Sequence, residues 1–159
     1  LASTVCKKIR TQFEEHCILR VGEVSREGDQ GLVNLQNQLL SHLKPKCMVI
    51  KTLNQGKDAI KNLLYKKKVL IVLDDVRTTR QLENLAGSRV WFGPGSRIIV
   101  TTRDQHLLSS HGVTLFKLYE MKALDTNESL QLFHKEAFKG EKKQEEYLDL
   151  SRKFVEYAG

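Results

Sequence analysis

The first part of the chain changes from a helical to an extended hydrophobic pattern. Val5, Ile9 and Phe13 recur every four residues with charged residues between them, which predicts a helix over residues 1–15. Residues 17–25, with the sequence CILRVGEVS, are predicted to form a strand. The chain is therefore expected to begin with a helix followed by a strand.

Two further helices are predicted before the middle of the chain. The first follows a polar, glycine-bearing loop at 27–30 and ends at Pro45. Its apolar stripe consists of Leu32, Leu35, Leu39 and Leu43. The second is shorter, over residues 56–65, and turns Ile60, Leu63 and Leu64 inward.

Two apolar segments without alternation follow, at 69–73 and 98–100. Continuous apolar runs are typical of strands that are buried on both faces, as in parallel sheets. A helical stretch with Leu82 and Leu85 lies between them, and a further strand is predicted near 115–121. The order of strands and helices predicts a doubly wound α/β domain, with helices on both faces of a parallel sheet.

Beyond these strands the pattern changes to helices alone. Asp125 and Glu128 have the spacing of a capping box, with Asp125 as the N-cap residue. The apolar stripes of the two predicted helices are Leu130, Phe133 and Ala137, and then Tyr147, Leu150, Phe154 and Tyr157. We therefore predict an α/β domain over 1–122 and the start of a small helical unit over 123–159.

The formal net charge of +7 raises the question of nucleic-acid or membrane contact. The lysines and arginines are dispersed and the few aromatic residues do not interleave with them, so no dedicated nucleic-acid site is expected. No apolar run approaches the roughly 20 residues of a membrane helix, so no membrane contact is expected either.

Cysteine usage favours a cytoplasmic, intracellular location. The chain has an odd number of cysteines, which are widely spaced and form no CxxC motif: Cys6, Cys17 and Cys47. This spacing argues against a disulfide framework or a zinc site and favours a reducing cytosol. The five histidines have no ligand spacing such as HExxH, so no histidine metal site is expected.

Polar residues follow both predicted buried strands where each strand ends: Asp74 and Asp75 after the first, Thr101, Thr102 and Arg103 after the second. Ligands of open α/β sheets bind beyond the carboxyl ends of the strands. Two carboxylates can hold Mg2+ and orient a water toward a phosphate, while an arginine fork and short hydroxyl donors suit phosphate oxygens. The alternative is an acidic turn and a polar strand end without a ligand. Two such ends on neighbouring strands favour a phosphate site.

A glycine-rich phosphate loop is missing from the sequence. Neither GxxxxGK[ST] nor GxGxxG occurs, and Gly56-Lys57 is followed by Asp58. The amides of such a loop wrap the phosphates of a nucleotide. A nucleotide site is therefore expected to be incomplete within these residues. Because the chain begins with Leu1, we expect it to be an internal piece of a longer protein. Because the glycine-rich loop is missing, we expect this piece to bind nucleotide poorly on its own.

The order of the motifs along the chain resembles that of the NB-ARC domain of plant intracellular immune receptors, the nucleotide-binding leucine-rich-repeat proteins. The segment KVLIVLDDV at 68–76 resembles the Walker B motif of that family, and GSRIIVTTRD at 95–104 resembles its sensor-arginine motif. Residues 119–138 resemble the beginning of its helical ARC subdomain. The first residues of the chain resemble those that follow the GKTT motif of this family. The last residues resemble those that precede its GLPL motif. The resemblance covers nearly the whole chain. It implies a P-loop NTPase-like sheet, here without its first strand and P-loop.

The resemblance also implies roles for the residues at the strand ends. Asp74 corresponds to the Mg2+ ligand, and Asp75 to the catalytic acidic residue near the attacking water. Arg103 corresponds to the sensor of the terminal phosphate, with Thr101 and Thr102 beside it. The family binds ADP in a resting state and ATP in an active state, and is at most a slow ATPase that acts as a switch in defence signalling.

The type of receptor is indicated by two segments. Residues 17–43 resemble the Toll/interleukin-receptor (TIR) type, and the tryptophan that coiled-coil receptors carry after LDDV is replaced by Arg77. The TIR type usually has an acidic residue there. Partner domains implied by the resemblance are a TIR domain and leucine-rich repeats. The alternatives are a P-loop ATPase of another class and a nucleic-acid-binding module.

Overall fold

The chain divides into two compact units, Leu1–Phe116 and Lys117–Gly159. The computed structural model describes residues 2–24, 28–44, 49–110, 118–138 and 147–158. Within these ranges no helix is long and apolar enough to cross a membrane. The first unit is a three-stranded parallel sheet with helices on both faces, which confirms the predicted α/β class.

The first unit contains five α-helices and three strands among its described residues. The helices are α1 (Ala2–Ile9), α2 (Gly28–Leu43), α3 (Leu53–Leu64), α4 (Thr79–Ala86) and α5 (Gln105–Ser110). The strands are β1 (Glu15–Arg20), β2 (Val69–Asp74) and β3 (Arg97–Val100). Short 3-10 turns lie at Arg10–Gln12, Gly22–Val24 and Arg89–Trp91.

The sheet has the order β1-β2-β3, with all neighbours parallel. Leu73 of β2 is aligned with Leu19 of β1 on one side and with Val100 of β3 on the other. The apolar residues of β2 are completely buried, as the sequence predicts. The prediction of burial on both faces is wrong for β3, whose residues 98–100 are only half-buried. Ile98 and Val100 pack against the larger core and Ile99 against the smaller one, but none of them is fully covered.

Side chains of β2 enter two cores in alternation. Ile71 and Leu73 join the larger core, formed with α2, α3 and α4 on one face of the sheet. Leu70 and Val72 join a smaller core with Cys6 of α1 on the other face. Covering both faces in this way explains why β2 lacks polar residues until its last position.

Several boundaries differ from the predicted ones. Helix α1 is shorter than the predicted 1–15, because Glu14 already exchanges hydrogen bonds with the backbone of Lys68 at the start of the sheet. Strand β1 begins two residues before the predicted 17–25 and ends at Arg20, since its partner strand ends at Asp74. Helix α5 was not predicted.

Helix α3 begins three residues before its predicted start. The Thr52 hydroxyl accepts a hydrogen bond from the Gln55 amide, and the Gln55 side chain accepts one from the Thr52 amide. This capping box satisfies backbone donors that the first turn of a helix leaves unpaired. The same device, formed by Thr78 and Gln81, begins α4.

Part of the predicted strand near 115–121 lies outside the described residues, and 118–121 form no strand. The predicted helix end at Pro45 also lies outside them, while α2 ends at Leu43. The polar loop predicted at 27–30 is wrong for its last three residues, because α2 already begins at Gly28.

The second unit consists of two described helices, α6 (Thr126–Phe138) and α7 (Leu148–Ala158). The predicted capping box is confirmed: the Glu128 amide donates to Asp125 Oδ1 at 2.8 Å, and the Asp125 amide donates to Glu128 Oε2 at 3.0 Å. The rings of Phe133 and Phe154 lie 5.5 Å apart and join the helices. Tyr157 is 92% exposed, so the last position of the predicted stripe stays outside this contact.

Two of the cysteines are buried and unbonded, Cys6 and Cys17. Burial raises the pKa of the Cys17 thiol to about 12, with a smaller contribution from Cys6. Both thiols therefore act as small apolar side chains of the sheet cores.

One buried amide connects the three helices that cover the larger core. Gln36 of α2 donates from Nε2 to the Leu53 carbonyl of α3 at 3.2 Å and to the Asn84 carbonyl of α4 at 2.9 Å. Gly56 of α3 lies against this amide, and a Cβ there would be only 2.0 Å from Gln36 Oε1. The amide therefore needs a glycine beside it in order to reach both carbonyls.

Replacing this amide should weaken the whole unit. Gln36→Ala removes two hydrogen bonds and leaves a cavity, so we expect the free energy of unfolding to fall by about 2–3 kcal/mol. The measurement is urea denaturation followed by circular dichroism. Gln38→Ala, at an exposed position of the same helix, is the matched control. Equal stabilities of the two variants would show that the amide does not brace the helices.

Candidate functional site

The turn after β2 presents the two acidic residues. Asp74 is the last residue of the strand, and Asp75 has φ 58°, in the left-handed region that aspartate tolerates better than most residues. Three residues after Asp75, Thr78 caps α4. The chain thus passes from a buried strand to a helix in a short turn, which places both carboxylates at the carboxyl edge of the sheet.

Thr101 holds this turn through its side chain and its backbone. Its hydroxyl donates to Asp74 Oδ1 at 2.7 Å and accepts from the Asp75 amide at 2.8 Å. Its carbonyl accepts from the Val76 amide at 2.9 Å. The sequence suggests this hydroxyl as a donor to phosphate, whereas the structure commits its hydrogen to Asp74. The geometry therefore orients the Asp74 carboxylate from the end of β3.

Thr102 and Arg103 lie beyond this link. The Thr102 hydroxyl accepts from the Asp104 amide at 3.1 Å, within a turn that leads to α5. Arg103 is exposed, and its positive charge is one of the influences on the pKa of Asp75. The structure thus brings Asp74, Asp75 and Thr101 into direct contact and Arg103 within electrostatic range, and it holds Thr102 in a separate turn.

Asp75 has a second set of neighbours that the sequence did not reveal as part of the site. Arg77 donates to Asp75 Oδ2 from Nε at 3.0 Å and from Nη2 at 2.5 Å. These hydrogen bonds, with the charges of Arg77 and Arg103, lower the pKa of the Asp75 carboxyl, although desolvation opposes them. Gly22 also lies close to this carboxylate, because a Cβ there would be 2.0 Å from Asp75 Oδ2. Gly22 falls inside the predicted strand 17–25, where a glycine is a signal for a close approach of another group to the backbone.

The donor set suits Mg2+ better than a metal held by protein alone. The described residues contain no group of three or more histidine, cysteine, aspartate or glutamate side chains that could hold a metal ion. Mg2+ commonly takes one or two carboxylates and completes its shell with waters and phosphate oxygens. Asp74, oriented by Thr101, and Asp75 beside it fit such a shared arrangement.

A parallel sheet with helices on both faces, and with acidic and basic residues at its carboxyl edge, defines a P-loop NTPase-like α/β domain. The family model of the NB-ARC domain matches residues 1–143. The chain therefore belongs to the NB-ARC domain family, as its motifs indicate.

Plant disease-resistance proteins are among its relatives. It is 42% identical to TMV resistance protein N of Nicotiana glutinosa over 148 residues, which are 92% of this chain and 12% of that protein. It is 37% and 38% identical to disease resistance proteins RPV1 and RUN1 of Vitis rotundifolia, over 99% of this chain and 11% and 12% of theirs. The chain thus spans only about an eighth of the length of these relatives.

Removing the Thr101 hydroxyl should release the acidic turn. Thr101→Val keeps the shape but leaves Asp74 and the Asp75 amide without this partner, so we expect a loss of about 1–3 kcal/mol in the free energy of unfolding. Amide hydrogen exchange at Asp75 should also become faster. Thr102→Val, which loses two hydrogen bonds with the Asp104 backbone in an exposed turn, is the control. Similar exchange at Asp75 in both variants would contradict this role of Thr101.

Proposed function

We propose that this chain is the nucleotide-binding part of a plant disease-resistance protein and that it binds ADP and ATP with Mg2+. The observation that carries the proposal is the Thr101 link between the ends of β2 and β3, which binds the Asp74 carboxylate and the backbone amide of Asp75. Arg103 lies within electrostatic range of the Asp75 carboxylate. Membership of the NB-ARC family and the names of the relatives support it.

The roles proposed for the residues follow their positions. Asp74 serves as a ligand of Mg2+, which supplies positive charge to the phosphates when bound. Asp75 accepts a hydrogen bond from the water that attacks the terminal phosphate. Arg103 contacts the terminal phosphate through its guanidinium. Thr101 positions the Asp74 carboxylate and the backbone of Asp75, and Thr102 lies at the same edge of the sheet.

The proposed role in the whole protein is that of an intracellular switch. Bound ADP holds a resting state and ATP an active state, and hydrolysis is slow. Partners proposed for it are the other parts of the same receptor, leucine-rich repeats and a TIR domain, for which the relatives' disease-resistance names and the resemblance of residues 17–43 give the support.

Arg103 gives a direct test of nucleotide discrimination. The test uses this chain preceded by a strand and a GxxxxGK[ST] loop, which its own sequence lacks. Because ADP has no terminal phosphate, Arg103→Ala should weaken ATP far more than ADP. A charge-assisted contact is worth about 1.5–3 kcal/mol, so titration calorimetry should show a roughly 10- to 150-fold loss for ATP. Arg97→Ala, at the opposite end of β3, is the matched control. An unchanged ratio of ATP to ADP affinity would remove Arg103 from the site.

A substitution of Asp75 separates water positioning from nucleotide binding in the same extended chain. Asparagine is preferred to alanine here because it tolerates the left-handed backbone of this residue. Asp75→Asn should slow single-turnover ATP hydrolysis more than it weakens ADP binding, because a water-positioning carboxylate acts in the transition state. Equal losses in both measurements would assign Asp75 to metal binding or to the structure of the turn.

A further inference from the structure

Arg77 and Asp75 form an ion pair with two hydrogen bonds. Both Nε and Nη2 of Arg77 reach the same carboxylate oxygen, Asp75 Oδ2. Gly22 also lies against this carboxylate, so closely that a Cβ there would be only 2.0 Å from Asp75 Oδ2. Asp75 itself has a left-handed backbone, with φ 58°. The Asp75 carboxylate therefore contacts a cation and packs against the backbone of Gly22.

The backbone of Arg77 is also fixed. Its amide donates to Gln81 Oε1 at 2.8 Å, and Gln81 belongs to the capping box that begins α4. Because the guanidinium is attached two residues after Asp75 to an anchored backbone, it stays near that carboxylate. Side chains of Arg77 and Asp75 are 57% and 37% exposed, so the pair remains accessible to ions from solvent.

A cation beside a carboxylate lowers its affinity for another cation. A divalent ion that approaches the two carboxylates meets the positive charge of Arg77 and must compete for Asp75 Oδ2. The same argument does not apply to Asp74, whose Oδ1 is engaged by the neutral hydroxyl of Thr101. The arrangement therefore makes the two carboxylates unequal toward a metal.

We propose that Arg77 is an internal counter-cation that competes with a divalent metal for Asp75 and weakens metal binding at the Asp74–Asp75 turn. The proposal rests on the proposed function, in which this turn binds Mg2+ with a nucleotide. Arg77 thereby acts as a positioning residue, since it determines whether the Asp75 carboxylate is held by the protein or by the metal.

Mn2+ without nucleotide is the probe, measured by the electron paramagnetic resonance signal of the free ion at low ionic strength. The wild-type chain should bind it weakly. Exposed ion pairs are typically worth up to about 1 kcal/mol, so Arg77→Gln should tighten Mn2+ binding by roughly two- to fivefold. Broadening of the Asp75 and Thr101 amide signals by Mn2+ in nuclear magnetic resonance spectra locates the ion at the turn.

The matched control is Arg80→Gln. Arg80 makes an exposed ion pair with Asp29 and has a side chain 59% exposed, so its removal changes the net charge equally at a comparable site on the surface. It should leave Mn2+ binding at the turn unchanged. Adding Asp75→Asn to Arg77→Gln should abolish the gain, because the released carboxylate is then absent.

Three results would overturn the proposal: equal tightening by Arg77→Gln and Arg80→Gln, a gain that survives Asp75→Asn, or no Mn2+ at the turn in any variant. None of these involves nucleotide, so the proposed function is decided separately by the ATP and ADP titrations of the extended chain. If the extended chain binds nucleotide but Arg77→Gln leaves Mn2+ binding unchanged, only the role of Arg77 as a counter-cation is rejected. An Arg77 effect without nucleotide binding would reject the proposed function.

Discussion

Burial of β2 on both faces is the constraint from which the rest of the structure follows. Five consecutive apolar residues leave water completely, and each face needs its own cover. Helices α2, α3 and α4 supply one cover and α1 the other. Since β1 and β3 pair with β2 in parallel, their carboxyl ends meet at the same edge. The first polar residues after this strand therefore emerge where the neighbouring strands also end, and this is the edge at which open α/β sheets bind their ligands.

At that edge of the sheet, the backbone gives the carboxylates of Asp74 and Asp75 different surroundings. Asp74 still belongs to the strand and is aligned with Arg20 of β1, so its side chain is fixed by the sheet and by Thr101. Asp75 has left the sheet in a left-handed conformation, and its carboxylate contacts both Gly22 and Arg77. Two adjacent, chemically identical residues thus have different surroundings. In the proposed function this difference corresponds to a metal ligand on one side and a water-positioning group on the other.

The sequence predicted the elements that depend on hydrophobic pattern and missed those that depend on pairing. The apolar run at 69–73 identified β2, and the chemistry of the residues after each strand identified Asp74, Asp75 and Thr101, which are in direct contact. Burial of β3 was overestimated because an apolar run does not reveal how completely the rest of the fold covers the strand. The start of α3 was recognisable from Thr52 and Gln55, which have capping-box spacing. The Arg77 contact was not predictable, because it requires the unusual backbone of Asp75, and neither residue reveals that alone.

The charges around Asp75 bear on how fast such a site can work. Hydrogen bonds from Arg77, assisted by the charges of Arg77 and Arg103, lower the pKa of this carboxyl below its ordinary value. It is therefore ionised at neutral pH and is a weaker proton acceptor than an unperturbed carboxylate. General bases are most effective when their pKa lies near the working pH, which is the opposite direction of shift. Asp75 is thus suited to hold and orient a water and is poorly suited to remove its proton. In the proposed function this carboxylate corresponds to slow hydrolysis, which is the behaviour proposed for the switch.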